Sequence, residues 1–424
     1  MKKDSEFNEF ANVEEKKPKL RSARKKGDKA VRVLLIILIV ILSIMIAIVA
    51  AGKITGLGDL GKTKPQSIDK STYNPILRAD GSLAEREEEV YNFLVVGQDL
   101  KANLTDVMML INFNVPENKM TIMQIPRDTL VVLDAYACME CKKPVTTREG
   151  ESGKCSSCGG DTKTLCTNYE RKMNSVYHQY YSSLKAKKQE DNIKFGMEGL
   201  ALTLEQALNI SIDSYAHMDL EGFRKIVDEI GGVDMYVSQD MYYNDPDQNL
   251  YINLKKGQQK LDGEMAEQFV RFRSGYIRAD ISRQNAQKEF MVAFLQSFKQ
   301  NVNITNVLST ATTMLKYVTH SVPTEDLDYY ARAVLGMDFS NITMCSAPFS
   351  EHSPYLVLQR YNLLKIINEN YNVYDTDIPD EQFDTERIFT VTSNSTINSK
   401  YLTTEEFEDT YSAEDIKENG LEKY

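Results

Sequence analysis

The sequence predicts an α/β fold, a mixed β-sheet covered by helices on both faces, carried on one membrane-spanning helix and interrupted by a small cysteine-rich insertion. Three observations lead there: β-rich runs alternating with helical patterns beyond residue 89, an unbroken apolar run over 33–51, and two Cys-x-x-Cys pairs between residues 138 and 158. A chain of 424 residues with 42% hydrophobic and 26% charged residues is long and apolar enough for a sizeable core, which excludes wholesale disorder.

The net charge of -11 hides an asymmetry. Lys16, Lys17, Lys19, Arg21, Arg24, Lys25, Lys26, Lys29 and Arg32 crowd one stretch against a single acid, Asp28. Directly after it, Val33 to Ala51 runs nineteen residues with Ser43 as the one hydroxyl, which at about 1.5 Å per residue spans a bilayer core. A cleaved signal peptide has a shorter apolar stretch, although Ala50-Ala51-Gly52 keeps that alternative open. Positive charge on the N-terminal side places residues 1–32 in the cytoplasm and the main domain outside, a single-pass protein of the cell membrane. The same placement argues against nucleic acid as a partner, since the basic stretch is short and abuts the membrane.

Residues 52–88 mix Gly, Pro, Ser and Lys without apolar periodicity, as an extracytoplasmic linker does. Strands are predicted over 90–96, 107–115 and 119–125, the last two joined through Pro116-Glu117-Asn118. Another follows over 212–218, then a helix over 220–230 and, after Gly231-Gly232, a strand over 233–237. Helices are predicted over 262–269 and 280–299, the second with Phe290, Val292, Phe294 and Leu295. Beyond residue 300 short helices and one strand near 342–345 are expected, and 373–424 is an acidic tail without large apolar clusters. The main domain is thus placed at 89–372, with its insertion at 136–168. No P-loop and no dinucleotide-binding glycine motif occurs.

Four features carry possible chemistry. Asp99 ends one predicted strand and Asp106 opens the next, offering hard oxygen ligands for Mg²⁺ or Mn²⁺, although Asp at strand ends more often caps a turn. Pro126-Arg127-Asp128-Thr129 follows a buried strand and points Arg127 out of the sheet end. Arg271-Phe272-Arg273, if extended, sets two guanidiniums on one face as a fork for phosphate oxygens. Asp280, Arg283 and Gln287 fall in one row of a helix, which is equally the pattern of a solvated face.

In order along residues 90–300, the segments FLVVGQD, LTDVMML, IPRDT, KMNSVYH, DLEGFRKIVDEIGGVDMYV, GQQKLDGEMAEQFVRFR and ADISRQNAQ resemble the LytR-CpsA-Psr family. That resemblance implies a three-layer αβα sandwich that binds a polyprenyl pyrophosphate-linked glycopolymer and transfers it to peptidoglycan. It also implies that Asp99 and Asp106 hold the metal ion, and that Arg127, Lys172, Arg271, Arg273, Arg283 and Gln287 bind the pyrophosphate. Arg127 and Arg283 are then the catalytic cations. Asp280 orients Arg283 or accepts the proton of the attacking hydroxyl, and its spacing favours orientation. One position departs from the family: Leu104 stands where an arginine usually precedes the second aspartate, so either Lys101 supplies the lost charge or phosphate binding is weaker than the family norm. The polyprenyl chain implies an apolar slot, although Met108, Met109 and Phe294 are plain core by default. The same residues would also serve a non-catalytic polymer-binding regulator, or a lipid pyrophosphatase with water as acceptor.

Cys138, Cys141, Cys155 and Cys158 have the spacing of a zinc ribbon, whose four thiolates give a closed structural Zn²⁺ site; two disulfides are the alternative in an exported domain. Cys166 and Cys345 are left over. Lying between IPRDT and KMNSVYH, the ribbon is expected near the mouth of the site.

Overall fold

The computed structural model describes chiefly residues 75–99, 104–246, 250–272, 279–301, 316–323, 337–383 and 410–412. The basic segment and the apolar run 33–51 lie outside the described residues; among those described, no helix is long and apolar enough to cross a membrane.

Strands β1 (Val90–Asp99), β2 (Leu104–Asn114) and β3 (Lys119–Ile125) form an antiparallel meander. It is followed by β4 (Leu130–Cys138), β5 (Lys143–Val145), α1 (Thr147–Ser152) and β6 (Thr162–Lys172), which make a separate three-stranded arm in the order β5-β4-β6. The chain continues through α2 (Val176–Leu184), α3 (Gln189–Leu208), β7 (Ser214–Met218), α4 (Leu220–Glu229) and β8 (Val233–Val237). Next come β9 (Met241–Asp245), β10 (Leu250–Leu254), β11 (Gly257–Leu261), α5 (Gly263–Arg271) and α6 (Ala279–Asn301). Strands β12 (Val318–His320), β13 (Ile342–Ser346), β14 (Phe349–His352) and β15 (Tyr355–Leu358), helix α7 (Arg360–Asn370) and β16 (Thr410–Ser412) complete the order.

The central sheet runs β12-β7-β1-β2-β3-β13-β16 and is mixed, because β7 lies parallel to β1 and β13 parallel to β3 within an otherwise antiparallel sheet. Burial is unbroken along β1 from Val90 to Gln98 and along β2 from Thr105 to Phe113. Continuous rather than alternating burial means that both faces are covered, as the apolar runs predict. Helices α2, α3 and α4 pack against the sheet, and α6 is buried on several sides through Phe290, Met291, Phe294, Leu295 and Phe298. Met108, Met109 and Phe294 all belong to this core.

The packed body is larger than the sequence suggests at both ends. Within the expected linker, Ile76 and Ala84 are buried, and within the acidic tail so are Ile378 and Phe383, while β16 pairs with β13. The two ends meet, since Arg86 bridges to Tyr374 and Arg78 pairs with Asp375 at 2.6 Å. Arg86 also reaches Asp213 at 2.9 Å in a pair whose side chains are 7% and 5% exposed. The Asp213 carboxylate accepts the Asn92 amide as well, at 2.8 Å, which ties the N-terminal segment and the start of β7 to β1. Removing one member of such a buried pair strands the other charge. Asp213→Ala should therefore lower unfolding stability by about 3–5 kcal/mol, whereas Lys194→Ala, which breaks an exposed helical pair, should change it by about 0.5 kcal/mol or less, both read by urea denaturation.

Candidate active site

The site forms where β1 ends, β2 begins and β3 ends. Asp99 pairs with Leu104 and Gln98 with Thr105, but Gly97 pairs with Val107, so the bulge in the register falls at Asp106. Asp106 thus lies inside β2 rather than opening it, because the strand begins three residues earlier than its apolar run. A bulge re-aims the side chain it carries. The carboxylate of Asp106 is fully buried, and its Oδ1 lies 3.3 Å from Nη1 of Arg127, a guanidinium only 9% exposed.

Pro126 supplies no N–H and terminates β3. The Thr129 hydroxyl donates to the Pro126 carbonyl at 2.6 Å, closing a turn around Arg127 and Asp128. The end of β6 is fastened to that turn: the Met173 amide donates to Thr129 O at 2.8 Å and the Asn174 amide to Arg127 O at 3.0 Å. Lys172 consequently reaches Asp128, with Nζ 3.0 Å from Oδ1, while Nε of Arg127 stands 4.0 Å from the same oxygen. Charges alternate along Asp106, Arg127, Asp128 and Lys172, dry at one end and partly exposed at the other. Asp128 is absent from the sequence-based candidates although it stands inside the PRDT motif.

Behind this edge lies a neutral polar support that the sequence did not reveal. His217 on β7 approaches Gln98 Oε1 at 2.7 Å, and the Tyr177 hydroxyl donates to that oxygen at 3.3 Å. An amide oxygen only accepts, so His217 donates from Nε2. Burial lowers the His217 pKa to about 4, which keeps the imidazole neutral, and its ring stacks on Tyr177 at 5.5 Å. A lone strand histidine carries no motif, so no sequence signal marked it.

A second basic group arrives on helices. Asp219 and Asp262 cap α4 and α5 by accepting the amides of Gly222 and Met265. Gly263, at the start of α5, donates to Asp228 near the end of α4, and Glu267, one turn on, meets Arg224 at 2.9 Å. The helices therefore run antiparallel, and Arg271, one turn further, points back toward the start of α4. That start follows Met218, which pairs with Gly97, so α5 leads Arg271 toward the same sheet edge. Arg271 is buried against Glu267. It is the last residue of α5 and not part of an extended Arg-x-Arg fork, because the helical pattern of residues 263–270 carries through it. Arg273 lies outside the described residues, as do Lys101 and the side chains of Asp99, Asp280 and Arg283. Gln287 on α6 is buried and donates to Val270 O at 3.2 Å, satisfying one of the carbonyls left open at the end of α5.

The LytR_cpsA_psr family model matches residues 58–382. The chain belongs to the LytR-CpsA-Psr family. It is 25% identical over 266 residues to the polyisoprenyl-teichoic acid–peptidoglycan teichoic acid transferase TagV of Bacillus subtilis, a match covering 60% of this chain and 56% of that protein. To the corresponding transferase TagU of Oceanobacillus iheyensis it is 25% identical over 223 residues, covering 52% and 55%. The chain thus spans about half the length of these relatives. The crystal structure of B. subtilis TagV is similar with a TM-score of 0.46 at 22% identity, covering 66% of this chain and 95% of that one.

On this family domain the cysteine-bearing arm is rooted at the site, where Leu130 pairs with Lys172. The cysteines themselves are not at the mouth. Cys138 ends β4 eight residues from Leu130, roughly 25 Å along the strand at about 3.3 Å per residue. None of the six cysteines is in a disulfide, so Cys166 and Cys345 are not bridged to each other.

The buried histidine makes the support pH-sensitive. Its folded pKa of about 4 lies below the ordinary value of 6.5, so the unfolded chain takes up the proton first as pH falls. Stability contributed here is complete above about pH 6.5 and is lost progressively toward pH 4, by up to roughly 3 kcal/mol. A His217→Gln variant should lack this component, so the stability difference between it and the wild type should shift in the variant's favour across that window in urea titrations; parallel curves would refute the assignment.

Proposed function

We propose that this chain is a membrane-anchored phosphotransferase, N-terminus in the cytoplasm and domain outside, that moves a glycopolymer from a polyprenyl pyrophosphate carrier to a peptidoglycan hydroxyl. The observation that carries the reading is the convergence of Arg127, Lys172 and their carboxylates on the sheet edge toward which α5 leads Arg271. The family membership supports it, as do relatives named for transfer of teichoic acid to peptidoglycan.

In the proposed reaction the acceptor oxygen attacks the sugar-proximal phosphorus, the bond from that phosphorus to the bridging oxygen breaks, and polyprenyl phosphate leaves. The product is a phosphodiester. Little covalent work falls to the protein, and rate comes from positioning and from neutralising charge on the phosphoryl oxygens. Arg127, preset between Asp106 and Asp128, gives a planar contact, and Lys172 a point charge on a mobile stem. Arg271, Arg273, Arg283 and Gln287 complete the proposed pyrophosphate set, with Arg283 catalytic and Asp280 its orienting partner. Asp99 and Asp106 would hold Mg²⁺ or Mn²⁺; the buried carboxylate of Asp106 is a hard oxygen donor that fits such an ion, which when bound adds positive charge beside the pyrophosphate.

Leu104, opposite Asp99 on β2, brings no cation to the edge and favours one rival, a polymer-binding protein without catalysis. Release of polyprenyl phosphate from a polyprenyl pyrophosphate-linked saccharide, with Mg²⁺ and peptidoglycan fragments, separates the readings. The wild type should form a polymer–wall adduct, Arg127→Ala should lose at least about a hundredfold in rate, and Lys172→Ala should lose less. Equal and negligible rates in all three would favour the binding protein; release without adduct would identify a pyrophosphatase.

A further inference from the structure

We propose that Cys138, Cys141, Cys155 and Cys158 form a closed zinc site that holds the tip of the arm together. Their sulfurs all lie within 4.8 Å of one another, with Cys138 and Cys158 at 3.5 Å and Cys141 and Cys155 at 3.8 Å. Four sulfurs placed about 2.3 Å from one ion at tetrahedral angles stand roughly 3.8 Å apart, so the side chains already have the required spacing. A disulfide would need about 2.05 Å.

The backbone is shaped for the same purpose. Lys142 and Gly159, each directly after the second cysteine of a pair, adopt left-handed conformations with φ of 55° and 72°. The two knuckles turn amides onto sulfur: Gly160 N–H donates to Cys158 Sγ at 3.4 Å, and the Cys141 amide donates to Cys138 Sγ. Such bonds favour thiolate over thiol, as a metal ligand must be.

The tip also needs the ion. Its own apolar cluster comprises Tyr136, Cys138, Val145 and Cys155, with Cys141 beside them, far less than an independent core requires. Register shifts between Leu133 and Ala135 and between Ala135 and Tyr136 separate the root of the β4–β6 ladder from the short run of pairs, Tyr136–Thr164 to Cys138–Thr162, that leads to the cysteines. Four protein ligands leave no open position, and the role is structural.

Metal analysis of the full-length chain, purified in detergent with reductant, should find one zinc per chain. After cobalt exchange the thiolate-to-metal charge-transfer band of a tetrahedral tetrathiolate should appear. Cys166→Ser and Cys345→Ser should keep the metal, and Cys138→Ser combined with Cys155→Ser should lose it. Should that double variant fail to fold, the wild-type metal content and cobalt spectrum decide alone. Iron in place of zinc, or a metal-free chain whose non-reduced mass shows two disulfides among these cysteines, would overturn the proposal.

Discussion

A buried guanidinium facing a buried carboxylate near the start of β2 is the constraint on which the site depends. Asp106 and Arg127 are both nearly sealed from solvent, and neither charge would be tolerated there alone. The pair exists because of two backbone events. The bulge opposite Gly97 and Gln98 re-aims Asp106, and Pro126 stops β3 where Arg127 can reach back. Once formed, the pair holds a cation in a fixed place before any ligand arrives. In the proposed transfer, which needs charge neutralised and little else, a preset donor would cost no reorganisation.

Separate pieces of chain then deliver charge to that place. The arm brings Lys172, because its last strand ends on the turn that carries Arg127 and Asp128. The α4–α5 pair brings Arg271, because Asp228 and Arg224 register the two helices antiparallel. Neutral groups stiffen the strand ends beneath, with His217 and Tyr177 both bonded to Gln98 next to the bulge. The layers differ in chemistry: neutral hydrogen bonds beneath, a sealed ion pair between Asp106 and Arg127 at the edge, and a partly exposed cation at Lys172.

The sheet was legible in the sequence because central strands covered on both faces read as nearly continuous apolar runs, as in VMMLINF, and because Pro116-Glu117-Asn118 announces its hairpin. Asp262 announced a helix start by the ordinary chemistry of an N-cap. The bulge was not legible, since one extra residue in a run buried on both faces disturbs no alternation. Nor was the helical state of Arg271, because a basic residue at a helix end fits either conformation. Ile378 and Phe383 were hidden in an acidic stretch whose composition resembles a tail, although two apolar anchors suffice to dock it. Asp128 was overlooked beside Arg127 for a different reason: its role appears only once Lys172, distant in sequence, is brought to it.

Leu104 sharpens the question of where positive charge comes from. At the described edge Asp106 and Asp128 are balanced by Arg127 and Lys172, so these four groups alone offer an anion little net attraction. An arginine at position 104 would have added charge beside Asp99, and leucine adds none. Binding of the proposed pyrophosphate would then draw on sources that the local pairs do not consume. Arg271 and Arg224 both reach Glu267 on α5, which brings two guanidiniums to one carboxylate. A divalent ion at Asp99 and Asp106 would work in the same direction by satisfying the carboxylate that now holds Arg127. On this electrostatic ground a chain with leucine at 104 would, under the proposed function, lean on a divalent ion more heavily than one with arginine there.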